Sequence, residues 1–281
     1  MGGTVVYNGR MYEVHLAPLD LTRTADSGQC FRMRMIASDT CFIQAQDRYV
    51  TVTDLGGGHF GFSCDEAEYH ARWANFLDAG TDYGPIHDLA HDEYARQAVD
   101  FARGVRILRQ DPWETLIGFI LSQRKNIPAI RHCVEQLCVR FGRPIGDGLH
   151  AFPTPEALAN APQEELAVCS LGYRTRYVSQ TARMVASGQA DLYAWRTQDD
   201  AALESALLTL PGVGAKVAAC VMLFGYHRLN AFPVDVWIDR VMKNEYGGGF
   251  PVAHYAPYAG VIQQYLFVYA RHMSRAPKPE G

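Results

Sequence analysis

Residues 208–225 read LTLPGVGAKVAACVMLFG, a Pro-Gly-x-Gly turn followed by an apolar helical run with Lys216 in its first turn. A helix N-terminus already carries partial positive charge, so a lysine there has the wrong sign. Before the turn, DDAALESALLTL has helical composition. Pro211 stops that helix, and Gly212 and Gly214 let the backbone take strained angles and bring its amides close to a ligand. Helix, tight turn and second helix make a hairpin whose free amides suit an anion such as a phosphate. A Gly-x-Gly turn alone is more often structural than functional.

Nineteen positions beyond Lys216, AFPVDVWIDRVM places Asp235 after Pro233 and at the head of an amphipathic helix. An isolated Asp there is ordinarily a plain N-cap. From Lys216 the helix rises roughly 15 Å to Gly225, and the segment from Tyr226 to Asp235 spans up to about 30 Å, enough to return. The lysine and the aspartate are therefore expected to meet beside the turn.

The remainder bounds the fold. At 281 residues and 48% apolar the chain can bury a large core, as one domain or two. CFIQAQDRYVTVTDLGGGHF alternates and breaks at glycines, and TVVYNGRMYEVHL carries an Asn-Gly turn, so the first sixty residues read as antiparallel strands. Helical patterns follow from Asp65: DEAEYHARWANFLD, DPWETLIGFILSQ with Asp111 as cap and Pro112 in the first position, NIPAIRHCVEQLCVRFG, several short helices, and YAPYAGVIQQYLFVYARHM. The expected class is α+β: an antiparallel β-sheet domain with flanking helices over 1–98, packed on a helical body over 99–281 that contains the hairpin 208–225.

No apolar run reaches the roughly 18 residues of a membrane span, and MGGTVVYNGR lacks the build of a signal peptide. The expected place is intracellular, cytoplasm or nucleoid if the source is bacterial. Seven cysteines include no Cys-x-x-Cys pair, so they are expected to be buried hydrophobes rather than metal or cluster ligands. Net charge is −4, yet residues 101–145 hold eight Lys/Arg against three acids. A charge run is usually a solvated face, but this one also allows a local anion-binding surface.

LPGVGAKVAACVMLFG followed by FPVDVWIDR resembles the helix-hairpin-helix/Gly-Pro-Asp motif of DNA glycosylases, most closely the 8-oxoguanine DNA glycosylase/AP lyase family. SGQCFR (27–32), GVRILRQDPWETLIGFILSQ (104–123), LGYRTRYVS (171–179) and YAGVIQQYLF (258–267) agree in order. The resemblance implies base excision from double-stranded DNA containing 8-oxoguanine, with Lys216 as nucleophile and Asp235 stabilising the cationic sugar. The helix end and partial burial disfavour a charged amine, which supplies the reason for the misplaced lysine.

The resemblance also implies a base pocket: the Gly28 carbonyl accepts the ring N–H that distinguishes 8-oxoguanine, Cys220 and Phe267 stack on the base, and Gln263 bonds its edge. Gly212, Gly214, Arg124, Lys125 and Asn126 fall on the DNA-binding side, with Tyr173 as wedge and Arg174 addressing the orphaned cytosine. Vertebrate-type members carry His and Asp where this chain has Trp237 at the pocket and Ala270 beyond it, which places it nearer the bacterial branch. No cofactor is required. A structural monovalent ion or calcium at the carbonyls of Leu208, Leu210 and Val213 follows from the resemblance alone, and the chain reads as a monomer. The rival readings are a non-catalytic helix-hairpin-helix DNA-binding protein and a glycosylase for another damaged purine. An endonuclease-III-type enzyme would carry four late cysteines, and none lies beyond Cys220.

Overall fold

The computed structural model describes residues 11–16 and 18–275. The Asn8-Gly9 turn lies outside them. β1 (Tyr12–His15), β2 (Met33–Met35), β3 (Thr40–Ala45), β4 (Arg48–Gly56) and β5 (His59–Phe62) form one antiparallel sheet in the order β1-β5-β4-β3-β2. Register follows the alternation of the sequence: Cys41 pairs with Val52 and Ile43 with Val50, all four fully buried. This face packs with the short helix Leu21–Asp26 and with the helical run 66–76, whose middle turn, Tyr69–Trp73, is π-helical. Trp73, Leu77 and Leu108 complete that core.

A second core fills the helical body. Its central helix, Pro112–Ser122, is capped by Asp111, whose side chain accepts from the Glu114 amide, and it starts on Pro112 as expected. Nine of its eleven residues are buried, the pattern of a helix surrounded on all sides. It packs against the hairpin's second helix, Ala215–Gly225. Helix Ile127–Phe141 buries Ile130, Val134, Leu137 and Cys138 as the spacing predicts, with Cys133 added and Phe141 only half-buried. The last helix is shorter than its sequence pattern: it runs Ala259–Met273, because Pro257 separates it from a 3-10 turn at Val252–Tyr255. A two-stranded ribbon, Pro144–Gly146 with Leu149–His150, was not anticipated, although its Gly-Asp-Gly turn is visible in IGDGLH. All seven cysteines are free and buried.

The basic segment 101–145 is largely spent on the fold. Arg109 pairs with buried Asp78, Arg103 with Asp100 and Arg143 with Asp47, while Arg106 and Arg131 donate to backbone carbonyls. Lys125 donates to the Ser170 carbonyl. Arg124 is exposed and has no partner among the described residues. No helix is long and apolar enough to cross a membrane among the described residues.

Candidate active site

Helix Ala215–Gly225 starts on Gly214, which offers no side-chain cap, so its first amides are left for an outside acceptor. The two glycines of the turn differ. Gly212 sits at φ +80°, and a Cβ there would lie 2.6 Å from the Tyr177 ring, so both conformation and space demand glycine. Gly214 has an ordinary extended backbone, φ −104°, and a Cβ there would meet nothing within 4 Å. The expectation of strained angles at both positions thus holds only for Gly212. The open space at Gly214 is what a closely approaching backbone phosphate requires. Gly212→Ala is expected to cost about 2 kcal/mol, read as a lower denaturant midpoint with unchanged slope. Gly214→Ala should cost under about 1 kcal/mol yet weaken binding to any duplex.

Lys216 projects half-buried from the first turn. Its Nζ lies 3.4 Å from the Ser122 hydroxyl and 5.0 Å over the Phe119 ring. Phe119 is held by a stack on Phe224 and an edge contact with Phe31. One turn on, burial raises the Cys220 thiol above its ordinary range, with Lys216 opposing. The thiol stays protonated at neutral pH and gives the lysine no counter-anion.

Asp235 caps helix Val236–Glu245. Its Oδ1 accepts from the amides of Trp237 (3.0 Å) and Ile238 (2.9 Å), while Oδ2 has no hydrogen-bond partner among the described residues. One oxygen fixes the helix and the other is uncommitted. Its neighbours Val234 and Val236 are exposed, the latter at 65%.

A cavity of about 1190 Å³ collects these groups. Lys216, Asp235, Gly28, Cys220, Gln263 and Phe267 all line it, as do Trp237, Arg124, Lys125 and Asn126 on its rim. No ion pair within 4 Å joins Lys216 to Asp235 among the described residues, so the pair faces a common space rather than neutralising itself. Gln263 is 4% exposed, and its amide oxygen has no hydrogen-bond partner among the described residues. A buried amide left unpaired is costly unless a ligand satisfies it.

Tyr173, Arg174 and the hairpin residues Leu208, Leu210 and Val213 are not among the residues that line this cavity. Tyr173 is 53% exposed beneath the Arg174 guanidinium, 4.3 Å from its ring. Arg174 itself is buried. Its Nη1 donates to the Leu171 carbonyl at 3.1 Å and its Nη2 to the Gln123 carbonyl. Reading an orphaned base would require exchanging those bonds. Asn126 is the N-cap of the next helix, with its Oδ1 accepting from the Ala129 amide at 2.9 Å. Arg124 adopts φ +51°, an unfavourable backbone for a side chain of its size, at the end of the central helix. Leu208, Leu210 and Val213 stay in the hairpin. The Leu210 carbonyl accepts the Val213 amide at 3.1 Å, and no described group donates to those of Leu208 or Val213.

Sequence reasoning missed Ser122, Phe119, Gln123, Gln264 and Arg271. Gln123 donates to the Ile120 and Gly212 carbonyls, tying the central helix to the hairpin turn. The contacts of Gln123 with Gly212 and of Ser122 with Lys216 join positions about 90 residues apart, and the only signal for them was the GFILSQ block itself.

Residues 11–116 match the family described as 8-oxoguanine DNA glycosylase, N-terminal domain, and residues 117–248 match HhH-GPD superfamily base excision DNA repair protein. The N-glycosylase/DNA lyase of Saccharomyces cerevisiae is 39% identical over 159 residues, 51% of this chain and 42% of that protein. The probable N-glycosylase/DNA lyase of Methanothermobacter thermautotrophicus is 30% identical over 227 residues, 69% of this chain and 72% of that protein. Among solved structures, MBOgg1 in complex with a low affinity DNA ligand is similar with a TM-score of 0.90 at 35% identity, covering 98% of this chain and 100% of that one. The Clostridium acetobutylicum 8-oxoguanine glycosylase/lyase, in complex with double-stranded DNA containing cytosine opposite 8-oxoG, gives 0.87 at 29% identity, covering 97% and 99%. The aligned stretch spans less than half of the yeast protein. With an amine, an uncommitted carboxylate oxygen and an unpaired amide facing one cavity beside a helix-hairpin-helix turn, and with both domains of the family matched in order, the chain belongs to the 8-oxoguanine DNA glycosylase family of the HhH-GPD superfamily.

Proposed function

We propose that the chain is a bifunctional DNA glycosylase/AP lyase that removes 8-oxoguanine from duplex DNA in base-excision repair. The observation that carries this reading is the cavity that Lys216 Nζ, Asp235 and the unpaired Gln263 amide share. A nucleotide turned out of the stack would place its base between Cys220 and Phe267, its edge on Gln263 and its ring N–H toward Gly28. The Lys216 amine attacks C1′ of the sugar, and the bond from C1′ to the base breaks. The base leaves with its electron pair and takes up a proton while the attacking nitrogen gives one up. The nitrogen lone pair then opens the C1′–O4′ bond and O4′ takes up a proton. The resulting protonated Schiff base permits loss of a C2′ proton with departure of the 3′ phosphate, the β-elimination that nicks the strand. Positive charge grows on the sugar as the base departs, and the uncommitted Asp235 oxygen stabilises it electrostatically. Borohydride should therefore trap a covalent complex with an 8-oxoguanine duplex. Tight binding without any trapped complex would favour the non-catalytic DNA-binding reading, and trapping only with a different lesion would favour another damaged purine.

On the DNA side, the uncapped amides beyond Gly214 would hold a phosphate and Tyr173 would fill the gap left by the base. Arg124, the side chain in the strained backbone of the rim, supplies a cation there. The hairpin carbonyls of Leu208, Leu210 and Val213 are three neutral oxygens with free lone pairs, a donor set suited to a weakly held monovalent ion rather than to calcium, which favours carboxylates. The enzyme acts as a monomer inside the cell.

The family's strict members hold the cytosine opposite the lesion with an Asn and two Arg, and this chain has Arg124, Ala129 and Arg174 in those places. Ala129 bonds no base, and Arg174 is engaged by two carbonyls. Excision opposite thymine, guanine or adenine is expected to stay within roughly a hundredfold of that opposite cytosine, a span of about 2.7 kcal/mol. Single-turnover rates on four duplexes differing only at that base measure it, and a cytosine preference beyond about a thousandfold contradicts it.

A further inference from the structure

Between Thr24 and Gln29 the chain turns into the cavity, and almost every carbonyl of the turn is already taken. The Thr24 carbonyl accepts from the Ser27 hydroxyl (2.7 Å), and that of Ala25 from Arg131 Nη2 (2.7 Å). The Asp26 carbonyl accepts from Arg271 Nη1 (2.6 Å), that of Ser27 from Gln264 Nε2 (2.8 Å), and that of Gln29 from Gln110 Nε2 (2.7 Å). No described residue donates to the carbonyl of Gly28. Side chains from the helical body thus pin the turn on both sides of its one uncommitted acceptor. Gly28 lies at φ +75°, and a Cβ would stand 3.0 Å from Ile127, so only glycine fits. Glycine also leaves the backbone soft, and the direction of its carbonyl must be imposed from outside.

Arg271 differs from the other tethers. It lines the cavity, and its guanidinium lies 5.3 Å over the Phe267 ring while it holds the Asp26 carbonyl. One side chain therefore bridges the aromatic wall of the pocket and the turn that carries Gly28. We propose that Arg271 is a specificity-determining positioning residue, which fixes the Gly28 carbonyl relative to the Phe267 ring so that a base with an extra ring N–H is told from one without it. The inference rests on the base-reading role of Gly28 given above. A hydrogen bond weakens steeply with misdirection, so a turn released at Asp26 should still admit a base but no longer distinguish it.

The test uses the full chain carrying Lys216→Gln, so that binding is read without turnover. Affinities are measured for three duplexes identical except for 8-oxoguanine, guanine or a tetrahydrofuran abasic analogue at one position. Adding Arg271→Met should lower the preference for 8-oxoguanine over guanine at least fivefold while leaving abasic affinity within threefold. A smaller fall in preference, or equal losses on all three duplexes, overturns the inference. Arg271→Lys, long enough to donate to the Asp26 carbonyl, should keep the preference within fivefold of the parent. A lysine variant as indiscriminate as the methionine one would assign the effect to stacking on Phe267 and overturn the tether. If Arg271→Met does not fold, Arg271→Gln is read against the same threshold, since its amide is too short for that carbonyl. If the Lys216→Gln parent itself binds 8-oxoguanine and guanine alike, the reading of Gly28 fails and takes this inference with it. A parent that discriminates while Arg271→Met does so equally well sinks the tether alone.

Discussion

Lys216→Gln is expected to bind a duplex carrying 8-oxoguanine nearly as well as the unaltered protein and to excise it at less than about one hundredth of the rate. The amide is one bond shorter than the lysine side chain but leaves a polar, uncharged group in the same half-buried place, on the side of the Ser122 hydroxyl that lies 3.4 Å from the lysine nitrogen. It cannot act as an amine. Phe119 and Cys220 present only a ring face and a protonated thiol nearby, and Lys125, the other amine lining the cavity, is tied to the Ser170 carbonyl. A hundredfold loss corresponds to about 2.7 kcal/mol of transition-state stabilisation, and removal of the attacking group should exceed it. Single-turnover excision above that level would show that the lysine only touches phosphate. Borohydride trapping should vanish with the same substitution.

Asp235→Asn is expected to leave the fold intact and lower excision by two orders of magnitude or more. The carboxamide oxygen can keep both amide bonds of the cap, now made by Oδ1 to Trp237 and Ile238, so thermal stability should change by less than about 1 kcal/mol. What is lost is the charge on Oδ2, the oxygen that does no structural work. Removing one preorganised electrostatic partner of a developing charge commonly costs about 10²–10³ in rate. Wild-type turnover with the wild-type melting temperature would confine Asp235 to capping. A large fall in melting temperature would instead mean that the cap depends on the charge.

The contrast between the two residues shows what a sequence can disclose. Pro211, Gly212 and the apolar run after Lys216 announce a turn and a helix through local rules, and Pro233 before Asp235 announces a cap in the same way. The strand pairing of Cys41 with Val52 is equally local, because two adjacent alternating runs have one register that buries both faces. The pairing of Ser122 with Lys216 across 94 positions follows from how the central helix packs on the hairpin, and no periodicity encodes it. The basic segment misled for a related reason. Its eight cations looked like a surface, yet Arg106 and Arg131 turn inward to carbonyls and Arg109 to Asp78. Charge counts carry no direction, and a long side chain is as able to tie a fold as to face solvent. Arg271 was invisible because a cation late in an amphipathic helix ordinarily meets water.

The pinned turn at Gly28 separates two kinds of inheritance within one enzyme. The amine and the carboxylate lie within twenty residues of each other, whereas the acceptor proposed to name the lesion sits almost two hundred residues earlier, among segments of the sheet-bearing half. A duplication or drift in residues 24–29, or in the side chains that grip them, can redirect which base is admitted and leave the bond-breaking apparatus untouched. Substrate range in this architecture is therefore free to evolve on a different clock from chemistry.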